Sequence, residues 1–330
     1  MPNPETWTIR SMLSWCEGYL GRHGDEAPRR SAEVLVGKAC ALERIGLYLD
    51  MDRPLSPAEL DVLREDVRHR GQGMPLQYIT GTAPFRYLEV EVAPGVLIPR
   101  PETEVLVSEG LALLPAAPKP QDAFDGQLLA AMGMSEDAAA PDTPELLVAD
   151  ICTGSGCIAC SIATEHPATR VVATDLSPAA VALARKNVER FEVADRVTVL
   201  SCDLGEGIDD GLLGSFDLVI SNPPYVPTAV LADIPREVAD FEPALALDGG
   251  ADGLDLFRRL SVWSMRALKP GGGFACELHE TCLDAAAAIA ASDGFEAVRI
   301  VRDLAGRPRV LVARKAPQTK EEGGHGIAAE

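Results

Sequence analysis

The run Ser221-Asn222-Pro223-Pro224-Tyr225 places a planar amide, a rigid carbonyl and an aromatic face side by side. Pro223 forces Asn222 into extended backbone, and Pro224 does the same to Pro223. Asn222 then presents its side-chain oxygen in a fixed direction. The Pro223 carbonyl has no regular ladder role and can turn into a pocket. Two such acceptors match the two N–H bonds of a primary amide or exocyclic amine, and the Tyr225 ring can stack on the planar group. The chemistry this suits is alkylation at nitrogen. The lone pair of an amide is delocalised, so acceptors must orient it and stabilise the positive charge that develops. A methyl group carried on a sulfonium is set up to leave, so no metal and no protein nucleophile is needed. The competing reading of the run is a proline-stiffened turn after a strand.

A second run, Asp150-Ile151-Cys152-Thr153-Gly154-Ser155-Gly156, closes one predicted strand and opens a helix. Gly154 and Gly156 let backbone approach a ligand at the carboxyl end of a sheet. A third glycine at the next turn would mark a phosphate-binding fingerprint, and residues 157–163 hold none. Asp175 lies 19 residues beyond Gly156 at the end of the next predicted strand. That is where a carboxylate commonly accepts from two ribose hydroxyls. Its alternative role, a helix N-cap, is better filled by Ser177 ahead of Pro178. Asp203 ends the third strand, within reach of an adenine amino group, and Leu204 beside it can pack on the ring. Loop and acid point to a nucleoside cofactor without choosing the nucleoside. Together with the Asn-Pro-Pro-Tyr run they suggest methyl transfer from S-adenosylmethionine to a planar nitrogen.

The elements that must position these residues follow from periodicity. From residue 146 apolar runs recur at 146–152, 171–176, 197–202, 216–221, 274–278, 295–301 and 310–313. Helical stretches separate the first five, which implies a mostly parallel sheet covered on both faces. The gap between the last two is too short for a crossover, so they pair antiparallel. Six parallel strands with one reversed is the Rossmann-like methyltransferase variant of the α/β class. Residues 1–73 form a predicted helical bundle, with apolar residues at helical spacing (Ile9, Leu13, Cys16; Leu35, Ala39, Leu42, Ile45; Leu60, Leu63, Val67). Ser56-Pro57-Ala58-Glu59 is a helix start. The bundle reads equally as a structural cap or as a partner-docking domain. Residues 74–100 read as a connecting β-hairpin, with Tyr78-Ile79-Thr80 counted among its β-formers. Residues 101–315 form the catalytic domain. Within it, 116–145 holds one basic residue against six acidic ones and reads as a solvated insertion, with a helical turn or two at 124–134. Residues 316–330 read as a frayed tail.

The 330 residues carry a formal net charge of −20. That charge repels a phosphate backbone and disfavours direct nucleic-acid binding. No segment approaches ~18 consecutive apolar residues, so no membrane span is expected. Residues 1–10 lack an apolar signal core, so secretion is not expected. The eight cysteines fit a reducing cytoplasm. Cys157 and Cys160 have the spacing of a metal or redox pair. They have no second pair and no histidine at ligand spacing, and read as small buried thiols.

The chain resembles the release-factor glutamine methyltransferase family (PrmC/HemK) through most of residues 5–315. The resemblance rests on Pro75-Leu76-Gln77-Tyr78-Ile79-Thr80-Gly81, on Leu97-Ile98-Pro99-Arg100-Pro101-Glu102-Thr103-Glu104, on the glycine loop, and on Asn222-Pro223-Pro224-Tyr225. It extends to Phe241-Glu242-Pro243-Ala244-Leu245-Ala246-Leu247 with Asp252-Gly253-Leu254 beyond. Asn-Pro-Pro-Tyr also occurs in adenine methyltransferases; the Ile-Pro-Arg-Pro-Glu-Thr-Glu run makes the match specific. The resemblance implies an N-terminal domain that docks a peptide chain release factor, and methylation of the glutamine amide in that factor's Gly-Gly-Gln motif. It implies that Cys152, Thr153, Gly154, Ser155, Gly156, Asp175, Leu204 and Asn222 line the cofactor site. Asn222, Pro223, Pro224 and Tyr225 would hold the glutamine, and Arg100 and Glu102 would shape the pocket floor. The chain departs from the family in three places. Glu277-Leu278-His279 followed by Cys282 replaces Glu-x-Gly with a downstream Gln, and His279 is read as structural. The segment 116–145 is longer than usual. Leu204 replaces an aromatic of some relatives, which would weaken adenine stacking. The other enzymatic readings are a ribosomal-protein glutamine methyltransferase and a nucleic-acid adenine methyltransferase, the latter disfavoured by the charge. A translation-associated binding protein without activity is disfavoured because every reactive-site element is present.

Overall fold

The computed structural model describes residues 6–116 and 145–318. Nearly all of the acidic segment, with the helical turn expected at 124–134, and most of the C-terminal tail therefore lie outside the described residues. The chain divides into two compact units: residues 1–84 with 89–98 and 230–244, and residues 85–88 with 99–229 and 245–330.

The first unit is built from helices α1 (Ile9–Arg22), α2 (Pro28–Cys40), α3 (Arg44–Leu49), α4 (Pro57–Gly71) and α5 (Leu76–Thr80). Its core gathers Ile9, Met12, Leu13, Leu20, Leu35, Val36, Leu47 and Leu63. Ser56 caps α4 through a reciprocal bond with Glu59, as its sequence requires. Two local expectations fail. Ile45 was expected on the apolar face but is 68% exposed, because the six-residue α3 is phased by Leu47 pointing into the core. Tyr78-Ile79-Thr80 forms helix rather than strand. Pro75 opens α5 and Gly81, at φ 80°, closes it, while the Tyr78 hydroxyl donates to the Val96 carbonyl at 2.7 Å. Burial of Tyr78 and Ile79 overrides their strand preference. The two-stranded sheet follows as β1 (Thr82–Phe85) and β2 (Leu88–Glu91).

The second unit opens with α6 (Thr103–Leu113) and holds a seven-stranded sheet of β3 (Leu146–Ile151), β4 (Thr169–Asp175), β5 (Val197–Ser201), β6 (Phe216–Ser221), β7 (Leu268–Glu277), β8 (Phe295–Arg302) and β9 (Pro308–Lys315). The spatial order is β5-β4-β3-β6-β7-β9-β8. The pairs among β5, β4, β3, β6 and β7 are parallel, and β9 runs antiparallel to both neighbours. This is the Rossmann-like methyltransferase sheet with one reversed strand. Strand β7 begins at Leu268, ahead of the apolar run at 274, and a register shift against β6 accommodates the Gly271-Gly272-Gly273 run. Helices α7 (Cys157–Glu165), α8 (Pro178–Arg190), α10 (Asp255–Ala267) and α11 (Leu283–Ser292) belong to this unit, whereas the short α9 (Arg236–Ala239) belongs to the first. Phe216, Phe257, Phe274 and Leu260 fill the core beside β6 and β7. Cys157 and Cys160 lie buried on α7, and burial pushes the Cys157 thiol up to about 12.

Candidate active site

Strand register brings the two chemical runs to one edge of the sheet. Ile151 pairs with Ser221 across β3 and β6, and the Ser221 hydroxyl donates to the Ile151 carbonyl at 2.6 Å. Cys152 and Asn222, the next residues, therefore emerge side by side at the carboxyl ends of neighbouring strands. Thr174 pairs with Ile151, Asp175 with Ser201 and Cys276 with Ser221, so Asp175 and Glu277 open onto the same edge. The strand order reverses at β3, the switch point at which open α/β sheets bind ligands.

The loop after β3 is held by two carboxylates. Asp150 is fully buried; its Oδ2 accepts from the Thr153 hydroxyl at 2.5 Å and from the Ala159 backbone N–H at 3.1 Å. Burial pushes its carboxyl up to about 7, against those two donors and with the charge of Asp175 adding to the rise. Asp175 ties the loop to β4: Oδ2 accepts from Gly154 N–H at 2.9 Å and Oδ1 from Ser177 N–H at 2.8 Å. Burial raises its carboxyl, while the N–H groups of Ser177, Gly154 and Leu176 pull it back. Gly156 takes φ 80°, and a Cβ there would sit 3.1 Å from the Ala184 side chain, so no side chain fits where the loop meets α8. Cys152 and Leu204 also take left-handed backbone, at φ 63° and 47°. Such outliers cluster at ligand-binding turns. Neither was foreseen, since only the glycines advertise that conformation. Asp203 lies past the end of β5 and pairs with Arg259 at 2.6 Å. The buried Asp150 Oδ1 has no partner among the described residues. An unpaired acceptor beneath a glycine loop, with a buried acid at the end of the next strand, fits a cofactor that carries both an ammonium and a nucleoside.

At the end of β6 the Asn222 Nδ2 donates to the hydroxyl of Thr103, the first residue of α6, at 3.1 Å. Its Oδ1 is the atom with capacity for a ligand's N–H. Pro223 is buried beneath it, and Pro224 is half-buried. The Tyr225 hydroxyl donates to Glu277 Oε1 at 3.0 Å. Burial, helped by the charge of Glu277, holds the Tyr225 phenol far above its ordinary range. Glu277 itself is 1% exposed; burial raises its carboxyl, while the nearby Thr103 hydroxyl, the bond from Tyr225 and the charge of Arg309 draw it down, and its Oε2 has no hydrogen-bond partner among the described residues. The charges of Arg100 and Glu102 reach Tyr225 and Glu277. His279 stands with its ring 6.5 Å from that of Tyr225, and its Nδ1 meets the Thr281 hydroxyl at 2.8 Å.

The Tyr225 backbone is clamped by the segment that follows residue 244. Val226 N–H donates to the Leu247 carbonyl and Gly249 N–H to the Val226 carbonyl, both at 2.8 Å. Leu247 and Gly249 thus hold the backbone that follows Tyr225 from both sides of Val226. Thr103 and Glu277 are the site residues that sequence reasoning passed over. Thr103 sits in the Pro-Glu-Thr-Glu run, where it reads as part of a helix start, and Glu277 was noted only for its neighbours.

A model described as the PrmC N-terminal domain matches residues 11–81, and one described as the methyltransferase small domain matches residues 138–235. Among curated proteins, the chain is 42% identical over 275 residues to the release factor glutamine methyltransferase of Geobacter sulfurreducens, spanning 83% of this chain and 85% of that protein. It is 35% identical over 315 residues to the one from Rhodopirellula baltica, spanning 95% and 98%. Among solved structures it is similar to the protein-(glutamine-N5) methyltransferase (release factor-specific) of Alicyclobacillus acidocaldarius, at 29% identity, with 69% of this chain and 99% of that one covered and a TM-score of 0.36.

Proposed function

The chain belongs to the release factor glutamine methyltransferase family, and on that premise we propose that it methylates the side-chain amide nitrogen of the glutamine in the Gly-Gly-Gln motif of peptide chain release factors. The observation that carries this reading is the Asn222 side chain: with Nδ2 committed to Thr103, its Oδ1 is set to accept from an amide. Asn222 Oδ1 and the Pro223 carbonyl take the two N–H bonds of the glutamine amide. Pro224 and Tyr225 hold the amide plane, with the ring kept in place by the bond to Glu277. The acceptors turn the nitrogen lone pair toward the methyl donor and stabilise the charge that grows as the N–C bond forms and the S–C bond breaks; one N–H proton then leaves to solvent, restoring a neutral amide.

The donor we propose is S-adenosylmethionine, which supplies an electrophilic methyl on a sulfonium. Cys152, Thr153, Gly154, Ser155 and Gly156 would cradle it, and the unpaired oxygen of Asp150 would face its ammonium. Asp175 would accept from the ribose hydroxyls, Asp203 from the adenine amino group, and Leu204 would pack on the ring. Asn222 borders both substrates. The helical unit at residues 1–73 would dock the release factor, and the enzyme would work in the cytoplasm, where translation terminates. Among the described residues no helix is long and apolar enough to cross a membrane.

The test is incubation with methyl-labelled S-adenosylmethionine and a purified release factor, followed by mass mapping of the peptides. Label on the side-chain amide of the Gly-Gly-Gln glutamine is the expected result. Label elsewhere on the factor, on a ribosomal protein or on nucleic acid would overturn the reading.

A further inference from the structure

Glu277 ends β7 one residue past Cys276, which pairs with Ser221, so it stands beside Asn222 at the site edge. Three residues beyond Asn222, the Tyr225 hydroxyl donates to Glu277 Oε1 at 3.0 Å. The carboxyl is buried, and its Oε2 has no hydrogen-bond partner among the described residues. The charge of Arg309 reaches it, but the Arg309 guanidinium pairs with Asp303 at 3.5 Å. The hydrogen-bond donor that this carboxylate holds is the phenol of the reaction loop.

A phenol that donates to an anion gains electron density on its oxygen, and the ring shares that density by conjugation. The face of an aromatic ring is already the negative part of its quadrupole, and the added density deepens it. Burial limits the screening of this effect by water. The phenol keeps its proton, because burial and the charge of Glu277 hold it far above its ordinary range. Tyr225 is therefore a polarised neutral ring rather than a phenolate. In methyl transfer to an amide, the nitrogen lone pair forms the N–C bond while the S–C electron pair passes to sulfur. Positive charge then sits on the amide nitrogen until one N–H proton leaves to solvent. A cation over an aromatic face is attracted to it. A ring stacked on the amide thus gains contact energy as the charge moves from sulfur to nitrogen, which favours the transition state over the ground state.

We propose that Glu277 is a positioning residue that acts through Tyr225: its carboxylate enriches the ring, and the ring face stabilises the charge that develops on the substrate nitrogen. The proposal rests on the reading of the substrate as an amide stacked on Tyr225, but the polarised ring is a property of the protein without ligand.

The experiment places 3-fluorotyrosine or 3,5-difluorotyrosine at position 225 of the full-length protein. Fluorine draws density out of the ring yet makes the phenol a stronger donor, so the bond to Glu277 is kept. The single-turnover rate of methyl transfer to a release factor, at saturating S-adenosylmethionine, should fall about two- to threefold for each fluorine. A carboxylate that merely held the ring in place would leave that rate unchanged. Glu277→Gln keeps an acceptor and removes the charge. It should slow the step about three- to tenfold with little change in KM for the release factor, and should add no further loss in Tyr225→Phe. The ¹⁹F signal of the 3-fluorotyrosine, read in the ligand-free protein, should move in Glu277→Gln. Rates indifferent to fluorine, an equal loss from Glu277→Gln with and without the phenol, or an unmoved ¹⁹F signal would overturn the proposal. A wild-type enzyme inactive on release factors, with the ¹⁹F shift as expected, would overturn the substrate reading alone. If Glu277→Gln fails to fold, the fluorotyrosine series decides the matter.

Discussion

Gly253 lies so close under Tyr225 that a Cβ at 253 would stand 2.4 Å from the Tyr225 carbonyl oxygen. Gly253 also takes φ 77°, where a side chain is strained whatever the space. Gly253→Ala should therefore push the reaction loop outward and cost about 1–3 kcal/mol of stability. Turnover should fall while cofactor affinity holds. Thermal melts, calorimetry and a turnover assay together check this; an active, equally stable variant would show that the loop yields at no cost.

Tyr225→Phe keeps the ring and removes the bond to Glu277. The buried carboxylate then loses a donor, a change worth about 1–3 kcal/mol. The melting temperature should drop, with a smaller rate loss than Tyr225→Ala, which removes the stacking face as well. Equal rates in the two variants would mean that the ring contributes nothing to holding the substrate.

Asp150 makes stability depend on pH in a particular direction. Its carboxyl is pushed up to about 7 in the folded protein, against about 3.9 in an unfolded chain. The folded state binds the proton more tightly over that interval. The contribution is fully present below the unfolded value and is lost as pH rises through the folded one. Asp150→Asn can keep the acceptor for Thr153 and Ala159 while removing the titration. The variant's melting temperature should gain on wild type between about pH 4 and pH 7. A constant difference across that range would reject the assignment.

Asp175→Ala should weaken S-adenosylmethionine binding by about 1.5–3 kcal/mol, the scale of hydrogen bonds to a charged group. The same substitution frees the Gly154 N–H that Asp175 now holds, so protection of that amide from hydrogen exchange should fall as well. Calorimetry and exchange on the ligand-free protein read the two effects separately. Unchanged affinity would remove Asp175 from the cofactor site.

What the sequence discloses here is what short stretches of chain decide. Ser56 and Ser177 cap their helices because the bond closes within three residues. The two prolines after Asn222 restrain their own neighbours, so the reactive run can be read where it stands. The strand alternation gave the sheet and its reversed strand for the same reason, since periodicity belongs to each segment. Tyr78-Ile79-Thr80 went the other way, because the burial that makes it helical comes from residues far along the chain. The bond from Asn222 to Thr103 joins two segments far apart in the chain. No local pattern encodes it, and Thr103 at a helix start looks like many others. The left-handed backbone at Cys152 and Leu204 is likewise imposed by the turn and leaves no mark in residue type.

The central claim is that Asn222 is the acceptor that prepares a glutamine amide for methylation. Its direct test is the single-turnover rate of Asn222→Ala with a release factor, measured beside cofactor affinity because Asn222 borders both sites. Loss of one preorganised acceptor should slow transfer by roughly a hundred- to a thousandfold, with bound cofactor still present. Full activity in Asn222→Ala, or transfer to adenine in preference to the release factor, would contradict it.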